Sequence, residues 1–141
     1  MEVEKFDVVV VGAGVAGCIA ASLYAKEGYT VALLEKKTDK SAYKRVCTHY
    51  IQPCATPVIQ EMGLEGRLRE AGALPNNPSI WTVDGWITPD VNRRSATPNY
   101  GFNIERRTLD PVLRDYSSEQ GVNFFYGHAV RELIHDDRGN V

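Results

Sequence analysis

The chain has 141 residues, 43% hydrophobic and 24% charged, with sixteen Lys and Arg against eighteen Asp and Glu for a formal net charge of −2. This is the length of one ordinary domain, too apolar for a disordered tail and too evenly charged to point to nucleic acid or an anionic membrane as partner. Three cysteines, an odd number, argue against a disulfide framework and for a reducing compartment, so a cytoplasmic location is expected.

Residues 6–11 (Phe-Asp-Val-Val-Val-Val) predict a short strand, and a continuous β-branched run of this kind suits a strand buried on both faces of a parallel sheet. Small residues extend the run to about Ala21, but glycines interrupt it and it is unlike the roughly 20 apolar residues of a membrane span. The acidic Glu2 and Glu4 are equally unlike a secretory signal. After a Gly12-Ala13-Gly14 turn, residues 15–27 read as a helix with Ile19, Leu23 and Tyr24 on its stripe. Gly28 suits the helix end, and residues 30–35 read as a second buried strand, closing one βαβ unit.

Residues 38–50 lack periodicity and read as a loop. Residues 56–71 predict two short helices meeting near Gly63-Leu64, with Val58, Ile59, Met62, Leu64 and Leu68 apolar. Residues 75–78 read as a proline break. Residues 80–83 and 86–88 read as a hairpin around Asp84-Gly85. A polar loop is expected at 90–99 and a strand at 100–104. A helix is expected at 109–120, with Pro111 in its first turn and Gly121 after its end. Strands at 122–126 and 128–135, a turn at 136–140 and Val141 as the first residue of a returning strand complete the reading. A domain does not normally stop inside a hairpin, so a truncated piece of a longer protein is expected.

The sharpest motif is Gly12-Ala13-Gly14-Val15-Ala16-Gly17, a GxGxxG between a strand and a helix. Gly12 permits the turn, Gly14 lets the backbone approach a pyrophosphate, and Gly17 lets the helix pack against the strand. The helix N-terminus then offers N–H groups and a positive dipole end to the phosphates. Glu35 ends the second strand, where a carboxylate accepts hydrogen bonds from ribose hydroxyls. The same carboxylate repels a 2′-phosphate, which disfavours NADP here and leaves NAD and FAD both open on these residues.

The stretch from Asp7 through Gly12, Gly14, Gly17 and Ala21, followed by Glu35, resembles the N-terminal FAD site of flavoprotein monooxygenases of the p-hydroxybenzoate hydroxylase type. That superfamily also holds squalene epoxidases, geranylgeranyl reductases and flavin-dependent halogenases. Arg45-Val46, Gln52-Pro53 and Gly63-Leu64 are similar to the segment after the second strand in squalene-epoxidase-like members, where an arginine reaches the flavin nucleotide. Arg106-Arg107-Thr108-Leu109-Asp110-Pro111-Val112-Leu113, then Gly121-Val122, is similar to the family's Arg, two residues, Leu, Asp, helix, Gly-Val pattern; by register its cofactor-contacting arginine is Arg106. Val130 falls where the family's backbone pairs with the adenine edge. The resemblance therefore implies an α/β, Rossmann-like FAD/NAD(P)-binding fold with a parallel sheet and a β-hairpin insertion. It implies that residues 1–141 are the N-terminal FAD-binding portion of a longer flavoenzyme, without its substrate domain or its second Gly-Asp flavin motif.

The cofactor-binding set implied is Gly12, Ala13, Gly14, Val15, Ala16, Gly17, Glu35, Lys36, Arg45, Arg106 and Val130, with FAD as cofactor and NAD(P)H as hydride donor. The activity implied is that of an FAD-dependent oxidoreductase, a monooxygenase hydroxylating or epoxidising a small apolar molecule with O₂. The alternatives are a geranylgeranyl-reductase-like reductase of isoprenoid double bonds and a non-catalytic nucleotide-binding fragment. No catalytic residue is assigned, because the flavin carries the hard chemistry. Cys47, His49 and Cys54 have no fourth ligand nearby, so no metal is expected. The Cys47-Thr48-His49-Tyr50 stretch either lines the flavin cavity or is a loop packed on the sheet. Trp81 and Trp86 are either an aromatic wall of a substrate pocket or hairpin packing. Cys18 reads as a small core filler, and His128 and His135 as exposed strand residues.

Overall fold

The computed structural model describes residues 4–88 and 98–139. Most of the 90–99 loop and Val141 therefore lie outside the described residues. The chain forms two compact units, Met1–Tyr43 with Leu113–Val141, and Lys44–Val112.

The first unit carries the βαβ unit. Strand β1 (Val8–Val11) leads through the glycine turn into helix α1 (Val15–Lys26), which returns to strand β2 (Val31–Glu35). Gly28, with φ +90°, breaks the chain after α1 in a backbone region that L side chains rarely adopt. Strand β2 lies between β1 and strand β8 (Asn123–Tyr126), all three parallel, with Val10 opposite Leu33 and Leu33 opposite Phe124. A chain order of third, second, first strand across a parallel sheet is one half of a doubly wound fold. The α/β, Rossmann-like fold class is thus the one observed.

Burial differs from expectation in two places. Central β2 is buried over Val31, Ala32 and Leu33, but β1 alternates, and Val9 and Val11 are 55% and 61% exposed. The described residues cover only one face of this strand. On α1 the buried face is Cys18, Ala21 and Ser22; Leu23 and Tyr24 of the predicted stripe are exposed. Small side chains let a helix approach closely, and here hydroxyls do the joining. Ser22 Oγ donates to the Cys18 carbonyl (2.8 Å) and pairs with Ser117 Oγ (2.9 Å), while Ser117 Oγ also reaches the Leu113 carbonyl. Each buried hydroxyl is thereby satisfied, as burial requires.

In the second unit strand β3 (Tyr50–Ile51), a 3₁₀ turn (Pro53–Ala55), helices α2 (Thr56–Glu61) and α3 (Leu64–Glu70), and strand β4 (Leu74–Asn76) follow in order. The hairpin β5 (Ile80–Thr82) and β6 (Gly85–Ile87) and strand β7 (Gly101–Asn103) complete it. β7 is the central antiparallel strand between β3 and β4. Phe102, Leu64, Leu68, Ile59 and Met62 form its core. The two helices meet at Gly63, where φ is +68°.

Helix α4 (Arg106–Glu119) starts in the second unit and ends in the first.

Several local expectations give way to tertiary partners. Pro75, read as a break, sits in β4, an edge strand, where a missing N–H is tolerated. β3 forms at the end of what reads as a loop, because β7 supplies its hydrogen bonds. The hairpin turns at Val83-Asp84, one residue early, since Thr82 pairs with Gly85. α4 begins at Arg106, three residues before the prediction, which places Pro111 inside the helix. The cause is a cap from outside the helix: His49 Nδ1 accepts the Arg106 N–H at 3.1 Å. Residues 128–135 form no strand, because no described segment pairs with them; Gly139 N–H does close a turn on the Asp136 carbonyl.

Candidate functional site

The glycine turn of the first unit is held from three sides. Gly12 N–H donates to the Leu34 carbonyl (2.7 Å), with φ +98°, which ties the turn to β2. Ala13 N–H donates to Glu35 Oε2 and Lys37 N–H to Glu35 Oε1, both at 3.0 Å. A carboxylate has about four acceptor directions, so Glu35 keeps acceptor capacity beyond these two bonds. A Cβ on Gly14 or Gly12 would meet nothing within 4 Å, whereas one on Gly17 would lie 1.9 Å from the Gly12 carbonyl oxygen. Open space thus sits in front of the turn and close packing behind it. Gly14 caps α1, whose first turn carries no acidic side chain, leaving its N–H groups and dipole available to an anion.

Beside the turn lies a cleft of about 280 Å³, lined by Gly12, Glu35, Lys36, His128 and Val130 among others. His128 N–H donates to the Glu35 carbonyl (3.0 Å) and Gly127 N–H to the Lys37 carbonyl, pinning the segment after β8 against the end of β2. The first unit therefore brings together Gly12, Glu35, Lys36 and Val130 around one cleft, with Ala13, Gly14, Val15, Ala16 and Gly17 in the adjoining turn.

Sequence reasoning missed two residues here. His128, read as an exposed strand residue, lines the cleft from a coil. Arg114 is 6% exposed; its Nε donates to the Ala13 carbonyl (3.2 Å) and its Nη1 to the Lys40 carbonyl (2.9 Å). A signal for Arg114 does exist: Asp110 and Arg114 fall on the same buried α4 stripe as Leu109, Leu113 and Ser117, and a charge on such a stripe asks for a partner.

Arg45 and Arg106 belong to the second unit. Arg45 is exposed on a bend. Arg106 makes a two-pronged pair with buried Asp110, Nε to Oδ1 and Nη2 to Oδ2, and Asp110 also accepts the Lys44 N–H (3.1 Å). The third guanidinium nitrogen, Nη1, lies 3.8 Å from Cys47 Sγ. His49, at φ +58°, donates its N–H to the same sulfur (3.4 Å). Because its Nδ1 accepts from Arg106, the proton of the neutral ring sits on Nε2. Among the described residues no group of three or more His, Cys, Asp or Glu gathers at metal-binding spacing.

The His49 N–H, and after it the Arg106 guanidinium, hold the Cys47 thiol below the usual cysteine range, against the opposing effect of burial. A depressed folded-state value adds stability above the unfolded-state pKa and loses it as pH falls through the folded one. Cys47 is therefore expected to be alkylated by iodoacetamide at lower pH than exposed Cys54, read site by site by mass spectrometry. Arg106→Met should move the Cys47 profile upward. Coincident profiles for the two cysteines would refute the assignment.

A family model described as FAD binding domain matches residues 5–141. Digeranylgeranylglycerophospholipid reductase 1 of Methanopyrus kandleri is 32% identical, aligned over 95% of this chain and 33% of its own length. The 1H-pyrrole-2-carbonyl-[peptidyl-carrier protein] chlorinase of Pseudomonas fluorescens is 25% identical, over 100% of this chain and 35% of its own. Among solved structures, the myxobacterial chondrochloren halogenase CndH superposes with a TM-score of 0.79 at 21% identity, over 96% of this chain and 31% of that one. PqsL of Pseudomonas aeruginosa, described as a probable FAD-dependent monooxygenase, gives 0.75 at 15% identity, over 96% and 36%. These two likenesses are of fold. The chain spans about a third of the length of the curated relatives it matches. Among the described residues no helix is long and apolar enough to cross a membrane.

Proposed function

The chain belongs to the FAD-binding domain family, and from that premise we propose that it is the adenylate-holding part of an FAD-dependent monooxygenase that hydroxylates or epoxidises a small apolar molecule with NAD(P)H and O₂. The observation that carries the nucleotide half of this reading is the Glu35 carboxylate bonded to Ala13 N–H, beside a turn with open space in front of Gly14. These residues fit FAD: Glu35 takes the ribose hydroxyls, the turn and the α1 N-terminus take the diphosphate, and Lys36 and Val130 flank the adenosine cleft. Arg45 and Arg106, the two arginines implied by the resemblance, lie in the second unit, where Asp110 orients Arg106. FAD, when bound, supplies the electron transfer and oxygen chemistry, while this chain's residues bind and orient its nucleotide end. The monooxygenase reading draws on the resemblance of the glycine turn, Glu35 and the Arg106–Leu113 segment to flavoprotein monooxygenases. The second reading, reduction of isoprenoid double bonds, draws on the Methanopyrus reductase, at 32% identity.

The test of the nucleotide half is titration of the chain with FAD, ADP and FMN, following flavin fluorescence directly and by displacement. FAD and ADP are expected to bind with similar, modest affinity and FMN not to compete, since FMN lacks the adenosine and the diphosphate. Glu35→Ala should weaken FAD and ADP by about 1–3 kcal/mol, the range for hydrogen bonds to a charged group. Competition by FMN as strong as by ADP would overturn the reading. For the reaction, incorporation of labelled O₂ into product by the whole protein supports the monooxygenase; saturation of a double bond without O₂ uptake supports the reductase.

A further inference from the structure

Arg114 is a buried cation that the proposed cofactor set does not use. Its guanidinium meets two backbone carbonyls, Ala13 and Lys40, and its charge also acts on the Asp39 carboxyl, after the stronger hydrogen bonds from Ser41. Burying a guanidinium is costly unless its hydrogen bonds are made, and here one side chain secures two segments of the first unit.

The Ala13 peptides are consequently held at both ends of the residue. Glu35 takes the Ala13 N–H and Arg114 takes the Ala13 carbonyl. No cis peptide occurs among the described residues, so the Ala13–Gly14 unit is trans and its C=O and N–H point in opposite directions. A carbonyl drawn toward buried Arg114 therefore turns the Gly14 N–H the other way, to the side where a Gly14 Cβ would meet nothing within 4 Å. We infer that Arg114 is a positioning residue for diphosphate binding: by holding the Ala13 carbonyl it aims the Gly14 N–H at the anion, next to the N-terminus of α1. The inference rests on the nucleotide-binding reading and deepens it. Glu35 serves the ribose and Arg114, through the backbone, serves the phosphates.

The division of labour has a measurable signature. In the full chain, ADP and adenosine are compared as ligands for the wild type, Arg114→Met and Arg114→Lys, with Ser117→Ala as a buried control on the same helix that does not touch the turn. Arg114→Met should weaken ADP at least tenfold and adenosine less than twofold. Arg114→Lys, which replaces the two donor nitrogens Nε and Nη1 with one ammonium on a shorter side chain, should also lose most of the ADP affinity, and it keeps the measurement available if the Met variant folds poorly. Ser117→Ala should lower the melting temperature with the ADP-to-adenosine ratio unchanged. Equal loss of both ligands, or unchanged ADP binding in either Arg114 variant, would overturn the inference. A wild-type chain that binds neither ADP nor FAD would instead overturn the function proposed for the site.

Discussion

Gly17→Ala is expected to destabilise the first unit by about 3 kcal/mol, at the upper end of ordinary overpacking costs, and to abolish FAD and ADP binding with it. The added methyl would sit 1.9 Å from the Gly12 carbonyl oxygen, and the next contact is also backbone, the Gly12 carbonyl carbon at 3.1 Å. Neither can swing aside as a side chain would. The Gly12 N–H is tied to Leu34, so relief must come from prising α1 away from β1 or from breaking the turn. Gly14→Val is the informative partner. Its φ of −87° is ordinary and its surroundings are open, so the fold should keep its stability while a bulky side chain occupies the space in front of the turn. Urea unfolding and ADP titration on both variants read this out. The expected pattern is loss of stability and binding for Gly17→Ala, and loss of binding alone for Gly14→Val. A Gly17→Ala protein as stable as wild type would contradict the close approach on which the turn depends.

Asp110→Ala should cost the second unit about 3–5 kcal/mol, the range for removing one partner of a buried ion pair. Asp110 is 3% exposed, accepts two bonds from Arg106 and one from the Lys44 N–H, and all three donors would lose their acceptor. Asp110→Asn keeps an acceptor oxygen and should cost less, about 1–3 kcal/mol. Combining Asp110→Ala with Arg106→Met should recover part of the loss, because no buried charge is then left unpaired. Urea unfolding of wild type, Asp110→Ala, Arg106→Met and the double variant gives the coupling. A single Asp110→Ala within 1 kcal/mol of wild type, an estimate well below the range for buried pairs, would show that the pair is not buried in solution.

The second of these effects was half visible in the sequence. Arg106 and Asp110 are four residues apart, a spacing that lets an ion pair form on any helix. What spacing does not reveal is burial. On an exposed helix the same pair is worth at most about 1 kcal/mol; here the α4 stripe turns it inward. The start of that helix was hidden for a related reason. Its first N–H is capped by a histidine 57 positions away, and capping rules read only neighbours in the chain.

The amino-acid sequence by itself determined the parts whose physics is local. A β-branched run makes β1, an alanine-rich stretch bounded by Gly14 and Gly28 makes α1, and glycines at 12, 14 and 17 make a turn open in front and tight behind. With Glu35 at the end of β2, these residues read as a dinucleotide site in the sequence alone. Only the tertiary structure decided what depends on partners distant in sequence. Among the described residues β1 pairs with β2 alone and Val9 and Val11 are exposed. Pro75 enters a strand because that strand is at an edge, and residues 128–135 form none because no described segment pairs with them. Arg114 reaches the glycine turn across a hundred residues of chain. Burial and hydrogen-bond pairing belong to the assembled fold, and a residue's local pattern carries them only when its partners lie within a turn or two.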